Sequence, residues 1–316
     1  MRFRAIGFAG LLSLGLLAHE GPEHEIDDLS RRMAQEGETA DLLLERAIEY
    51  RTLGRWSEAA KDLQRAARLA PADPLLLREL AQVQLRRGRH AEALETLRPA
   101  LRLPDLTPQE RAAILMIRSQ VHEAGRSLDR ALEDCNEALR ADPTLVGGYL
   151  DRSGLQRRLK RRRERVTGLD EGIRRTGAGV LVAERVEALL DDAQWSRALE
   201  AIGGELEASR LKGAWRIRRA RALLGLGRTK EAQEDLRESI AEIDRRMPAG
   251  GPEASLLLDR ALAHELSGET ERALRDYSAA ADLGAGEPAE SALQRLRAAR
   301  PTGPALRRGV PRRPGG

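Results

Sequence analysis

Three places in this 316-residue chain bring together side chains that could do chemistry. The first is the set His19, Glu20, Glu23, His24 and Glu25. If the chain is cut after Ala18, His19 offers a free α-amine beside its imidazole and His24 adds a third nitrogen, a donor set suited to copper or zinc. An N-terminal metal-binding protein is therefore one reading and a solvated acidic segment is the other; no metal ligand is assigned. His90, His122 and His264 are spread along the chain and form no ligand set. The second place is Asp151 to Arg165, DRSGLQRRLKRRRER, where eight bases meet two acids for a net +6. Such a run is either a solvated helix face or a site for an anionic partner. The third is Cys135, the single cysteine, which can make no intramolecular disulfide. A Gly-rich phosphate loop, an HExxH pair, a GxSxG elbow and a cysteine pair are all missing from the sequence. The chain is accordingly expected to be no enzyme and to need no cofactor.

The composition is 41% hydrophobic, 33% charged and 3% aromatic, with a net charge of +4. Eight aromatic residues speak against a large sheet core, since strands favour aromatic and β-branched side chains. Abundant Ala, Leu, Glu and Arg point to helices. Arg2 and Arg4 precede an uncharged run from Ala5 to Ala18, which at about 1.5 Å per residue spans roughly 21 Å, short of a ~30 Å hydrocarbon core. Residues 1–18 are read as a signal peptide, making the protein exported, periplasmic or extracellular, with no stable membrane span after cleavage. The alternative is an uncleaved N-terminus that anchors the chain. Removing residues 1–18 takes away two Arg and lowers the net charge to +2; removing residues 301–316 takes away four more and leaves −2. The body is thus mildly acidic, with one basic run near its middle and a basic tail.

The elements that carry these residues follow from a repeat. LLLERAIEYRTLGRWSEAAKDLQRAARLAP and LLLRELAQVQLRRGRHAEALETLRPALRLP align so that Gly54 and Gly88, Ala59 and Ala93, and Ala66 and Ala100 are each 34 residues apart. Ala131 and Ala138 follow Gly125 with one extra residue, Ala232 follows Gly227, and Ala273 and Ala280 follow Gly268. Small residues let two antiparallel helices approach to about 8–10 Å. Leucines three and four apart fill the seam, and a glycine just past the first helix ends it in left-handed backbone. Cys135 falls where Leu63 and Leu97 stand in their units, which makes it a small buried hydrophobe.

This pattern resembles the tetratricopeptide repeat, with its small positions at Ala47, Ala59 and Ala66 in the first unit and Ala81, Ala93 and Ala100 in the second. The resemblance implies an all-α fold: a helix–turn–helix repeat solenoid of superhelical form with a C-terminal capping helix. About seven units cover residues 40–285, at 40–73, 74–107, 111–145, 146–178, 179–212, 213–246 and 254–286. A charged segment with a short helix (19–39) precedes them, a capping helix (287–300) follows, and residues 301–316 read as a disordered basic tail. The fourth unit departs most: Arg165 and Gly172 stand where Ala is expected, and Lys160 replaces the turn glycine. In the fifth unit Ala193 replaces it. Arg246 to Pro252 is read as a seven-residue insertion in a loop.

The resemblance further implies a non-catalytic scaffold that binds a protein or peptide in the groove lined by first helices. Inner-facing candidates are Arg78, Arg86, Arg157, Arg158 and Arg221, which would suit an acidic partner. An adaptor or assembly factor of an envelope or secretion complex is the alternative. Co-chaperones of the family grip a carboxylate with Lys, Arg and Asn; the Asn positions here read Ile48, Gln82, Ser119 and Gly154, so that clamp is not carried over. Once residues 1–18 are set aside, six aromatics offer no stacking platform for nucleic acid, and nothing specifies an oligomeric state. N-terminal sequencing of protein recovered from its host is expected to begin at His19, or at Leu16 if the cut follows Gly15; an intact Met1 would sink the cleavage reading.

Overall fold

The computed structural model describes residues 21–248 and 251–299; the expected signal peptide, His19, Glu20 and the basic tail lie outside them. Among the described residues there are sixteen helices and no strand. The chain divides into two compact units, one ending at Lys160 and the other beginning at Arg161. The first holds α1 (Pro22–Glu36), α2 (Ala40–Thr52), α3 (Trp56–Leu69), α4 (Pro74–Arg86), α5 (His90–Ala100), α6 (Pro108–Ala124), α7 (Leu128–Ala141) and α8 (Val146–Arg158). The second holds α9 (Arg162–Thr176), α10 (Gly179–Asp191), α11 (Trp195–Ala208), α12 (Gly213–Gly225), α13 (Thr229–Arg246), α14 (Ala254–Leu266), α15 (Thr270–Asp282) and α16 (Glu287–Ala299). No described helix is long and apolar enough to cross a membrane.

Local chemistry sets the helix ends. Thr39 accepts from the Leu42 amide, Asp73 from the amides of Leu75 and Leu76, and Thr107 forms a reciprocal box with Glu110. At the turn inside each repeat one residue takes left-handed backbone: Gly54 (φ 71°), Gly88 (φ 72°), Gly227 (φ 74°) and Gly268 (φ 83°). Arg126 (φ 60°), Lys160 (φ 57°) and Ala193 (φ 54°) hold the same conformation without being glycine. In the third repeat this corrects the register. Gly125 has φ −77° and closes α6, so Arg126 occupies the left-handed place and no extra residue follows the turn. The amide of Ser127 then bonds the carbonyl of His122, as that of Arg55 bonds Tyr50 and that of Arg89 bonds Gln84.

Within each unit the first helix of a repeat packs on the second: α2 on α3, α4 on α5 and α6 on α7, then α10 on α11, α12 on α13 and α14 on α15. The crossing residues are small and sealed: Ala47, Ala59, Ala66, Ala81, Ala93, Ala100, Ala220, Ala232, Ala261, Ala273 and Ala280 are all at 0% exposure. Leu29 and Met33 of α1 join the core of the first repeat. At the far end Ala292 and Leu293 of α16 pack with Ala261, Ala273 and Tyr277, while Ala299 is exposed. The insertion is not all loop. α13 runs to Arg246 as an 18-residue helix, against 14 residues in α3, and buried Ile243 holds the added turn. One residue earlier Glu242 accepts from the amides of Lys212 and Gly213 at 3.0 Å and from Arg216 at 3.1 Å, capping the start of α12.

Cys135 is fully buried, with its sulfur 3.2 Å from Ser119 Oγ, and burial pushes its thiol up to about 11. The folded protein at pH 8 is expected to react with a disulfide thiol reagent far more slowly than the urea-unfolded chain; equal rates would overturn this placement. Two helical glycines should respond oppositely to alanine. A Cβ on Gly154 meets nothing within 4 Å, whereas one on Gly225 runs into the Trp195 indole. Gly154→Ala is expected to stabilise by ~1 kcal/mol through helix propensity, and Gly225→Ala to destabilise by about 1–3 kcal/mol through overpacking. Thermal melts of both variants check the signs.

Candidate functional site

First helices touch one another from repeat to repeat: α4 meets α6 in the first unit, and α12 meets both α10 and α14 in the second. Successive second helices make no comparable contact. The first helices therefore form the inner row of each unit, and their outward-turned side chains line the surface a partner would meet.

In the first unit this row is mixed. Ile48 is 44% exposed and Leu75 41%. Arg78 donates to Glu79 at 2.9 Å, and Arg51 of the preceding repeat pairs with that same carboxylate. Arg158 pairs with Glu123. Arg86 and Arg157 are exposed and make no ion pair among the described residues. The corrected register moves the third position of the asparagine lane. Ser119 is buried and donates to the Ala131 carbonyl at 2.8 Å, so it is the small crossing residue of α6, the counterpart of Ala47. The lane therefore continues through half-buried Gln120, whose side chain bonds Asp151.

In the second unit the row is cross-linked. Glu187 of α10 accepts from Arg218 at 2.8 Å and also from Arg221, which lies 3.7 Å from Asp191. The guanidinium of Arg218 rests over the Trp215 ring at 5.1 Å. Burial lifts the Asp259 carboxyl above its usual range, opposed by Arg218 and Arg246. Of the five expected arginines, Arg78, Arg86, Arg157 and Arg158 belong to the first unit and Arg221 to the second.

A larger group of ion pairs escaped the sequence reading. Arg46 and Asp62, Arg118 and Asp134, Arg219 and Asp235, and Arg260 and Asp276 are each sixteen residues apart and join the two helices of one repeat. The geometry is two-pronged, as in Arg46, whose Nε and Nη2 lie 2.7 and 2.8 Å from the two Asp62 oxygens. Bonding to the aspartate holds all four guanidinium pKa values above their usual range. The signal was present as an Arg and an Asp at constant spacing. In the fourth repeat Arg165, in an alanine's place and 4% exposed, donates to Glu184 and Asp191 at 2.8 Å each.

The remaining titratable candidates are accounted for. His24, Glu23 and Glu25 are exposed on α1, and Glu23 lies 3.4 Å from Arg55. Among the described residues no group of three His, Cys, Asp or Glu could hold a metal. His264 shares a 2.6 Å contact with Glu269, and burial lowers His122, which lies 3.8 Å from Asp134. A groove of about 480 Å³ beside α13 contains Arg219 and Arg228, each already bonded to an acid, Asp235 and Glu231.

Comparison with known proteins agrees with this geometry. The family model for the tetratricopeptide repeat matches residues 44–110 and 91–145. No curated protein matches the chain in sequence. A tetratricopeptide repeat protein from Parabacteroides merdae is similar in structure at 21% identity, over 81% of this chain and 98% of that one, with a TM-score of 0.57. The C-terminal part of a repeat-containing protein from Cytophaga hutchinsonii is similar at 12% identity, over 79% and 99%, with a TM-score of 0.56. Yeast Tom70 is similar at 17% identity over 88% of this chain and 59% of its own length, with a TM-score of 0.57. The sequence match makes residues 44–145 a run of tetratricopeptide repeats, and the same helix pair continues through the described body as an all-α repeat solenoid.

Proposed function

We propose that the chain is an exported, non-catalytic scaffold that holds an acidic segment of a partner protein along the inner row of first helices. The observation that carries this reading is the α2–α4–α6–α8 face: exposed Ile48 and Leu75 supply apolar area, half-buried Gln82 supplies an amide, and Arg86 and Arg157 are cations with no acid paired to them among the described residues. A partner carboxylate can bond Arg86 or Arg157 without first displacing a resident acid, which limits the desolvation cost of binding. Arg158 and Arg221 contribute only after exchange of Glu123 and Glu187 for the incoming carboxylate. Export rests on Arg2, Arg4 and the apolar run that ends at Ala18.

A photo-crosslinking residue at Gln82, in the full chain expressed in its host, is expected to give a discrete protein adduct whose linked peptide is rich in Asp and Glu. The adduct should fall at least tenfold in the Arg86→Glu, Arg157→Glu variant. An unchanged yield, or a linked peptide without acids, overturns the reading.

A further inference from the structure

Four repeats carry the same short motif at the turn between their helices: an Arg just before the second helix and a Glu three residues on. They are Arg55 with Glu58, Arg89 with Glu92, Arg161 with Glu164, and Arg228 with Glu231. In three of them the motif closes on itself, at 3.0 Å for Arg55, 3.6 Å for Arg161 and 2.7 Å for Arg228. In the second repeat it stands open, and Arg89 makes no ion pair with Glu92 or with any other described acid. Arg89 instead lines a groove of about 550 Å³ together with Arg87, Lys61, Ser57, Gln64 and Glu92.

The groove lies on the second-helix side of the first unit, since Lys61 and Gln64 are on α3 and Glu92 is on α5. It is distinct from the inner row. Arg87 and Lys61 also lack an ion pair among the described residues, and both acids of α3, Glu58 and Asp62, are already bonded, to Arg55 and Arg46. Three cations therefore face one acid, with a hydroxyl and an amide between them. Two guanidinium forks and an ammonium around an open trough match carboxylates presented one after another on an extended chain. We infer that this groove is a second, outer docking site, and that its occupant is a short acidic run, successive Asp or Glu residues, of a partner protein.

The inference is independent of the inner-row reading, and one titration separates them. The probe is a labelled hexaglutamate peptide followed by fluorescence anisotropy at low salt against the full chain. Wild type should bind, Arg87→Glu, Arg89→Glu should weaken binding at least tenfold, and Glu92→Gln should tighten it. Arg86→Glu, Arg157→Glu should leave at least half of the affinity. All of these positions except the partly covered Arg87 are exposed, and a circular dichroism melt confirms that each variant is folded. Equal affinity in wild type and Arg87→Glu, Arg89→Glu overturns the inference. So does loss in the inner-row variant alone, which leaves the earlier proposal standing. A single-stranded oligonucleotide of equal charge that binds wild type more tightly than the peptide also overturns it.

Discussion

Two helices joined by a short turn can share a core only if their backbones come close, and in this protein the approach is made by alanine. Ala47 against Ala59 and Ala66, repeated as Ala81, Ala93 and Ala100 and again as Ala261, Ala273 and Ala280, leaves no room for a longer side chain at the crossing. Everything else is arranged around that contact. Leucines on either side fill the seam, as Leu63 and Leu97 do at 0% exposure, and the turn must reverse the chain within a few residues. Since each helix pair leaves a face that only the next pair covers, the constraint propagates along the unit until α16 closes it with Ala292 and Leu293. Where the alanine is absent, the crossing is rebuilt from different chemistry. In the fourth repeat Arg165 takes the alanine's place, and its charge is tolerated because two carboxylates meet it.

The same close approach decides what happens to charge. An Arg on the first helix and an Asp sixteen residues on, on the second, are brought opposite each other at the edge of the alanine contact, and four repeats use the coincidence for a two-pronged bond. The aspartates are sealed, Asp62 at 3% and Asp235 at 2% exposure, so removing the arginine would strand a buried carboxylate at a cost of about 3–5 kcal/mol. A large part of the charged composition is therefore internal wiring. Net charge and pI count these groups as if they faced solvent, which is why the basic character of the whole chain is a poor guide to its partners. The cations that matter for recognition are those the fold leaves without an acid.

Much of this was legible in the sequence. The 34-residue period, the alanine positions, the burial of Cys135 and the covering role of the last helix all follow from the spacing of small and apolar residues, and the structure carries them. The third repeat was misread by one residue because its glycine was taken as the left-handed one. Gly125 caps α6 with a negative φ, and Arg126 adopts the strained conformation because the amide of Ser127 must reach the carbonyl of His122 to finish the turn. One residue is about 100° around a helix, enough to exchange buried Ser119 for half-buried Gln120. The Arg and Asp pairs were missed for another reason. Charged residues at regular spacing look the same whether they face water or each other, and only the packing distance distinguishes them.

The open turn at Arg89 follows from this division of labour. A residue at the crossing cannot change without its neighbours, because packing and pairing tie it to the other helix. A residue at the turn is tied only to the amide bond pattern, and that pattern is met by the backbone, whether the left-handed place holds Gly88, Arg126 or Ala193. The side chains flanking the turn are therefore free of the fold's demands. In the first, fourth and sixth repeats that freedom is used to close an Arg onto its own Glu. In the second repeat Arg89 makes no ion pair with Glu92 and lines a groove with Arg87 and Lys61, so the charge that elsewhere is paired locally is presented to solvent. Surface variation of this kind costs the stack little, which is how identical helix pairs can come to hold different partners.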